Sequence, residues 1–150
     1  MAAYGLIPVY DLTISIGVSK STDTWTYAEL ADGIDNIAEA LNEVVQQYFF
    51  LSDDGFARNH VTGMAPAYTL TGRRVVGDTA QDYIFGNKFK LDTDRQTSIK
   101  ILGKTDAGAA AGFTCDATIC NVQEFGGATT DDNAISFEIR FDGKPTSATE

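Results

Sequence analysis

Ile135–Phe141, ISFEIRF, alternates Ile, Phe, Ile and Phe with Ser, Glu and Arg. That period of two marks a strand with one buried and one solvated face. Upstream of it, Gln96–Leu102 and Gly112–Val122 are rich in Ile, Val and Thr, side chains that suit a pleated surface, so the last third of the chain reads as three strands. The same reading holds at the start. Leu12–Val18, LTISIGV, alternates again, and Trp25 and Tyr27 alternate with Thr26 and Ala28 in a second short strand. Val44–Leu51, VVQQYFFL, is a β-favouring run that stops at Ser52-Asp53-Asp54-Gly55, a turn signal. Ala57–Met64 returns as a strand, and Ala67–Val76, AYTLTGRRVV, adds another.

Two segments change period. Ile34, Ile37, Ala38 and Leu41 fall at i, i+3, i+4 and i+7, which predicts a short helix over 33–43 with Asp32 or Asp35 at its start. From Asp78 to Phe85 a second helix is predicted: Asp78 or Thr79 caps it, Ala80, Tyr83 and Ile84 share a face, and Gly86 stops it. The expected architecture is mainly β, an antiparallel sandwich or barrel of about seven strands flanked by one or two short helices. With 150 residues, the chain suits a single domain over 1–150 with one core. Gly-Ala-rich loops at 107–112 and 126–128 separate the closing strands, and the tail PTSATE reads as a frayed, adaptable end.

Composition narrows the function. Charge is −10 and spread along the chain, while the nearest basic groups, Arg73-Arg74 and Lys88 with Lys90, are matched by Asp78, Asp82, Asp92 and Asp94. A phosphate-gripping protein needs an uncompensated basic patch, so nucleic acid is expected to be repelled. No run approaches the ~20 apolar residues that span a bilayer, and the opening MAAYGLIPVYDL lacks the basic start and apolar core of a secretory signal. The expectation is a soluble protein folded in a cytoplasm, with no membrane partner. Cys115 and Cys120 stand five apart in one predicted strand, on opposite faces and about 16 Å apart at strand rise, out of disulfide reach.

Motifs for catalysis do not appear. His60 in ARNHVTG has no Ser or Cys partner pattern, and no His or Cys pairs have zinc spacing. Asp53-Asp54, Asp92-Thr93-Asp94 and Asp131-Asp132 lack the ligand series of a calcium loop, and their Gly, Thr and Asn neighbours read as turns. GxGxxG, GxxxxGK[ST] and GxSxG are all missing. No enzyme, cofactor or metal is therefore expected.

The block 49–85, FFLSDDGFARNHVTGMAPAYTLTGRRVVGDTAQDYIF, resembles the tail tube proteins of long-tailed bacteriophages. The matching residues are Gly55, Thr62-Gly63, Gly72-Arg73-Arg74, Gly77-Asp78 and Tyr83-Ile84, and the likeness extends loosely over most of the chain. It implies a β-sandwich flanked by a helix, the tail-tube fold, with six copies forming a ring, rings stacking into a tube, and inner sheets joining edge to edge so that no edge stays open. The implied partners are the chain itself, a tape measure protein, a tail-tip or baseplate initiator, a tail terminator, and DNA that passes without specific binding. The implied location is the virion tail, with synthesis and assembly in the bacterial host cytoplasm.

An acidic lumen would leave DNA free to slide, and Glu124, Glu138 and Asp142, on or beside clear strands, are the candidate lumen acids. The resemblance implies subunit contacts through a long loop between early strands and through the chain ends, which by position are the Ser52–Met64 region, the first ten residues and the tail after Phe141, with Tyr4, Tyr10, Phe56 and Arg58 as residues of interface-enriched types. Two other readings compete: the tube of a contractile injection or secretion system, and a monomeric β-sandwich ligand-binding module using Trp25 or exposed Tyr side chains.

Overall fold

The computed structural model describes residues 6–104 and 110–149. Ten strands form. They are β1 Thr13–Ser21, β2 Thr24–Glu29, β3 Ile34–Ala40, β4 Val44–Phe49, β5 Ala57–Gly63, β6 Ala67–Arg73, β7 Gln96–Gly103, β8 Ala111–Gln123, β9 Ala134–Phe141 and β10 Thr146–Thr149. Among the described residues there is one α-helix, α1, Thr79–Gly86. The mainly β, antiparallel class read from the sequence is what folds, with more strands than the alternation alone revealed.

Eight strands hydrogen-bond as one sheet in the order β2-β1-β7-β8-β9-β6-β3, with β10 beside the first half of β8; β4 and β5 make a separate hairpin. The two ends of that path, β2 and β3, are joined only by Leu30–Gly33. Such a link reaches about 18 Å at full extension. Laid flat, six strand spacings would hold those strands about 29 Å apart, so the sheet has to curl.

One face of the curled sheet is the core. Ile16 stands opposite Ile99 and Ile99 opposite Cys115; on the other half, Ile119 faces Ile139, which faces Tyr68. Leu70 is flanked by Ile37 and Phe137. The helix closes this core with Ala80, Ile84 and Phe85, Phe85 meeting Phe137 edge to face at 6.3 Å. Burying each such side chain stabilises by about 1.5–3 kcal/mol, so the alternation of β1, β7, β8 and β9 decides the fold.

The predicted helix over 33–43 is a strand instead. β3 pairs with β6, Ile34 opposite Gly72 and Ile37 opposite Leu70, and the register shifts between Ile34 and Asn36. That bulge inserts one residue, so two core-facing isoleucines stand three apart, the spacing that reads as a helical turn. Gly33, at φ +79°, is in left-handed backbone before the strand and caps no helix. The tail is also corrected: Thr146–Thr149 pairs with Thr114–Ala111 of β8. Thr146, Ser147 and Thr149 are exposed, so no apolar alternation marked that strand. Part of the Gly-Ala loop at 107–112 lies outside the described residues, and Gly112 belongs to β8.

The second predicted helix forms as expected. Asp78 is its N-cap and its carboxylate accepts from the Gln81 amide at 3.1 Å. Asn87 takes the C-cap position, one residue beyond Gly86.

Candidate functional site

Three surfaces stand out once the core is set aside. The first is the β4–β5 hairpin. Val45 pairs with Val61, Gln47 with Asn59, Tyr48 with Arg58 and Phe49 with Ala57. Every residue of β4 is exposed, as is all of β5 up to Thr62. Phe49, Phe50, Leu51 and Phe56 crowd the tip, with Leu51 fully exposed and Phe56 at 76%. The turn there uses left-handed backbone at Asp54 and Gly55, as SDDG suggested. Arg58 folds back onto Asp53, Nη2 to Oδ1 2.9 Å and Nε to Oδ2 2.7 Å, and Tyr48 stacks on Phe50 at 5.6 Å. An isolated two-stranded hairpin is marginal in water, and no side chain of this one joins the core, so its apolar tip stays exposed to solvent.

The second surface is the outer face of the main sheet. Across it run Ser15, Lys100, Thr114 and Thr146; Gln96, Thr118 and Arg140; and Cys120, Glu138 and Thr69. Ser136 and Thr71 continue the pattern on β9 and β6. Hydroxyls dominate and charges of both signs alternate, so the face is polar without a strong field. Trp25 lies flat over Gly17, where an added Cβ would sit 2.5 Å from its ring, and Tyr27 donates or accepts at Ser98 Oγ, 2.9 Å. These aromatic residues are therefore packed as covers on the sheet.

A third surface surrounds α1. Val76, Phe89, Leu91 and Phe125 are each at least 70% exposed. Lys88 Nζ lies 5.0 Å from the Phe89 ring centre and 4.6 Å from that of Phe125, and it pairs with Glu124. Arg74 reaches Glu124 at 3.4 Å and Asp82 at 2.8 Å, and stacks on Phe85. The Lys88 pairing, ahead of Arg74, holds the Glu124 carboxyl below its ordinary range against the opposing effect of burial. Burial raises Tyr83, whose hydroxyl donates to the Gln96 carbonyl at 2.8 Å, and it pushes the Cys115 thiol up as well.

The named candidate residues fall on different surfaces. Phe56 and Arg58 are together on the hairpin. Tyr10, 86% exposed, lines a groove of about 420 Å³ at the seam between β1 and β3, with Leu30, Ile34 and Ile37. Tyr4 lies outside the described residues. Glu138 is on the outer sheet face beside Arg140, its ion-pair partner, and Asp142 accepts from Thr118 just past the end of β9. Glu124 is apart from both, neutralised between Lys88 and Arg74. Sequence reading passed over Phe49, Phe50, Leu51, Phe89, Leu91 and Phe125. A signal existed for the first three: a run of three large apolar residues at a turn cannot bury itself on a period of two. Among the described residues no three His, Cys, Asp or Glu side chains gather as a metal site.

No protein-family model matches the sequence, and no curated protein matches it. Solved structures do. A chain in the tail of an empty gene transfer agent particle with C6 symmetry superposes at TM-score 0.68 and 13% identity, covering 94% of this chain and 98% of that one. A chain of the anti-feeding prophage cap, which terminates that tube, gives 0.62 and 16%, covering 100% and 95%. A chain of the sheath–tube complex of an extracellular contractile injection system gives 0.60 and 16%, covering 97% and 93%. The chain shares its fold with these assembly proteins.

Proposed function

We propose that the chain is a tail tube subunit, one domain that polymerises as stacked sixfold rings into the hollow conduit of a phage tail, with no catalytic role. The observation that carries this reading is the hairpin. A fold shared over nearly full length with chains of tail and injection assemblies also presents an apolar two-stranded projection that its own core leaves bare. In a tube, a neighbour covers it. The strands β2 and β3, each paired on one side only, supply edges for adjoining subunits.

The outer sheet face is the surface of choice for the lumen. Its hydroxyls and alternating charges, Glu138 and Asp142 included, offer a passing phosphate backbone neither a basic grip nor an apolar wall. The bulk of the −10 charge lies in turns and loops, where it keeps free subunits apart. In this reading the partners are neighbouring copies, a tape measure protein within the growing tube, a tail-tip or baseplate initiator, a terminator, and transiting DNA. The place of action is the virion tail, with assembly in the bacterial host cytoplasm.

A second reading, the tube of a contractile injection system, is supported by the likeness to the anti-feeding prophage and injection-system chains. Negative-stain electron microscopy across a concentration series, with and without tail-tip complex, tests the shared core of both. Hollow rods with regular axial striation are expected. Single subunits under every condition would remove both readings and favour the monomeric ligand-binding module. A sheath around rods isolated from cells would select the contractile reading.

A further inference from the structure

We infer that the N-terminal arm of one subunit, residues 1–8, lies in the apolar groove at the β1–β3 seam of the next subunit, with Leu6 as its anchor; the contact rests on the tube reading and gives the arm a defined partner surface. Ile14 and Leu30, both buried, meet Leu12, Ile34 and Ile37 in that groove, a space of about 420 Å³. Concave apolar spaces of this size are where ligands and partner side chains lodge. The groove runs beside β3, whose one strand partner among the described residues is β6. That open edge is the one the tube reading turns toward an adjoining copy, so the groove is continuous with it. Its unpaired main-chain groups are available to an extended segment laid alongside.

The arm leads away from the groove of its own chain. Val9 and Tyr10 line that groove, yet Leu6 and Ile7, 70% and 52% exposed, do not. Pro8 is extended, at φ −71° and ψ 150°, and a residue that precedes proline is kept extended too, so the chain has no reversal at Ile7-Pro8 that would return it. Residues 1–8 reach about 28 Å when extended, enough to cross to a neighbour. Charge separates this occupant from the hairpin tip. Asp35 lines the groove and Asp32 lies in the adjoining link, and neither makes an ion pair among the described residues. The first ten residues carry no charged side chain and approach without repulsion, whereas the tip would bring Asp54 against them. Arm and groove are different surfaces, so the contact is heterologous and passes from copy to copy, as a ring requires.

The test is a cross-link between full-length chains. Leu6→Cys and Asn36→Cys are carried on separate chains, each with Cys120→Ser, then mixed under rod-forming conditions and oxidised; Asn36 lines the groove, and the remaining native thiol, Cys115, is buried. A disulfide requires Cα atoms within about 7 Å, so covalent pairs of the two different chains are expected in rods, absent from dilute subunits and absent when either variant assembles alone. In parallel, Leu6→Asp is expected to raise the concentration needed for rods about tenfold at an unchanged melting temperature, Leu6→Lys to raise it less because it meets Asp35, and Leu6→Met to stay near wild type. A single chain carrying both cysteines that closes on itself in dilute solution would place the arm in its own groove and overturn the inference. Rods without mixed pairs, or Leu6→Asp rods that form as readily as wild type, would overturn it as well, and all three results leave the tube reading standing. A wild-type chain that never forms rods removes both.

Discussion

Gln81 Nε2 lies 2.9 Å from the carbonyl oxygen of Asp32, a hydrogen bond between the first turns of α1 and the short link joining the two edges of the sheet. The same amide donates to the Arg73 carbonyl at 3.2 Å, and its oxygen accepts from the Val75 backbone at 2.8 Å. Gln81 is fully buried, and both ends of its amide are satisfied. One side chain thus fastens the helix, the end of β6 and the seam of the curled sheet.

Gln81→Leu should keep the volume and strand three backbone groups. Each buried unsatisfied group costs about 1–3 kcal/mol, so a loss of at least about 3 kcal/mol is expected, a large share of the 5–15 kcal/mol typical of a domain. Urea unfolding measures it. A loss below 1 kcal/mol would mean that water or a shift of the Asp32 link replaces the amide.

Gly72 sits where a Cβ would lie 2.0 Å from the Gly33 carbonyl oxygen, a backbone atom that cannot swing aside. Gly72→Ala should therefore cost roughly 2–3 kcal/mol. Gly86, at the last position of α1, has open space around it and no left-handed backbone. Gly86→Ala is expected to leave stability unchanged or raise it by about 0.5 kcal/mol through helix propensity. Thermal melts of the two variants side by side separate crowding from a general intolerance of glycine replacement.

These residues show why part of the molecule was legible. The second half of the block that resembles tail tube proteins is the clamp around α1: Gly72 admits Gly33, Arg74 bridges Asp82 and Glu124, Asp78 caps the helix, Tyr83 anchors to Gln96 and Ile84 fills the core. Local chemistry of that kind leaves a local signature. β3 was misread because its bulge reproduces helical spacing, and β10 because a strand with little apolar content has no period. The surfaces were harder still. Whether Glu124 faces a lumen or lies between Lys88 and Arg74 depends on contacts up to 50 residues apart in sequence, which spacing alone does not encode.

The Glu124 cluster predicts a pH dependence. Lys88 and Arg74 depress its folded-state pKa below the ordinary 4.5, so the stabilisation is present above 4.5 and is lost as pH falls through the folded value. Glu124→Gln should be less stable than the wild type at pH 7, and the gap should close on acidification below 4.5. Unfolding curves at pH 7, 4.5 and 3 check the trend. A gap independent of pH would assign the loss to packing rather than to charge.

The hairpin should be dispensable for folding and indispensable for assembly. Its base is already closed without it, since Asn42 Nδ2 donates to the Ala65 carbonyl at 2.9 Å and the Ala65 amide donates to the Leu41 carbonyl at 2.9 Å. Replacing residues 43–64 by two glycines should therefore give a chain that melts within a few degrees of the wild type, because none of the core side chains comes from β4 or β5. Removing Phe49, Phe50, Leu51 and Phe56 together should abolish rods at every concentration, while Leu51→Glu alone should weaken assembly and leave the melt untouched. Rods formed by the shortened chain would transfer the assembly role to the sheet edges and the α1 rim. A shortened chain that fails to fold would instead show that the hairpin sets the β3–β6 register, since Leu41 directly follows β3 and Ala65 lies one residue, Pro66, before β6.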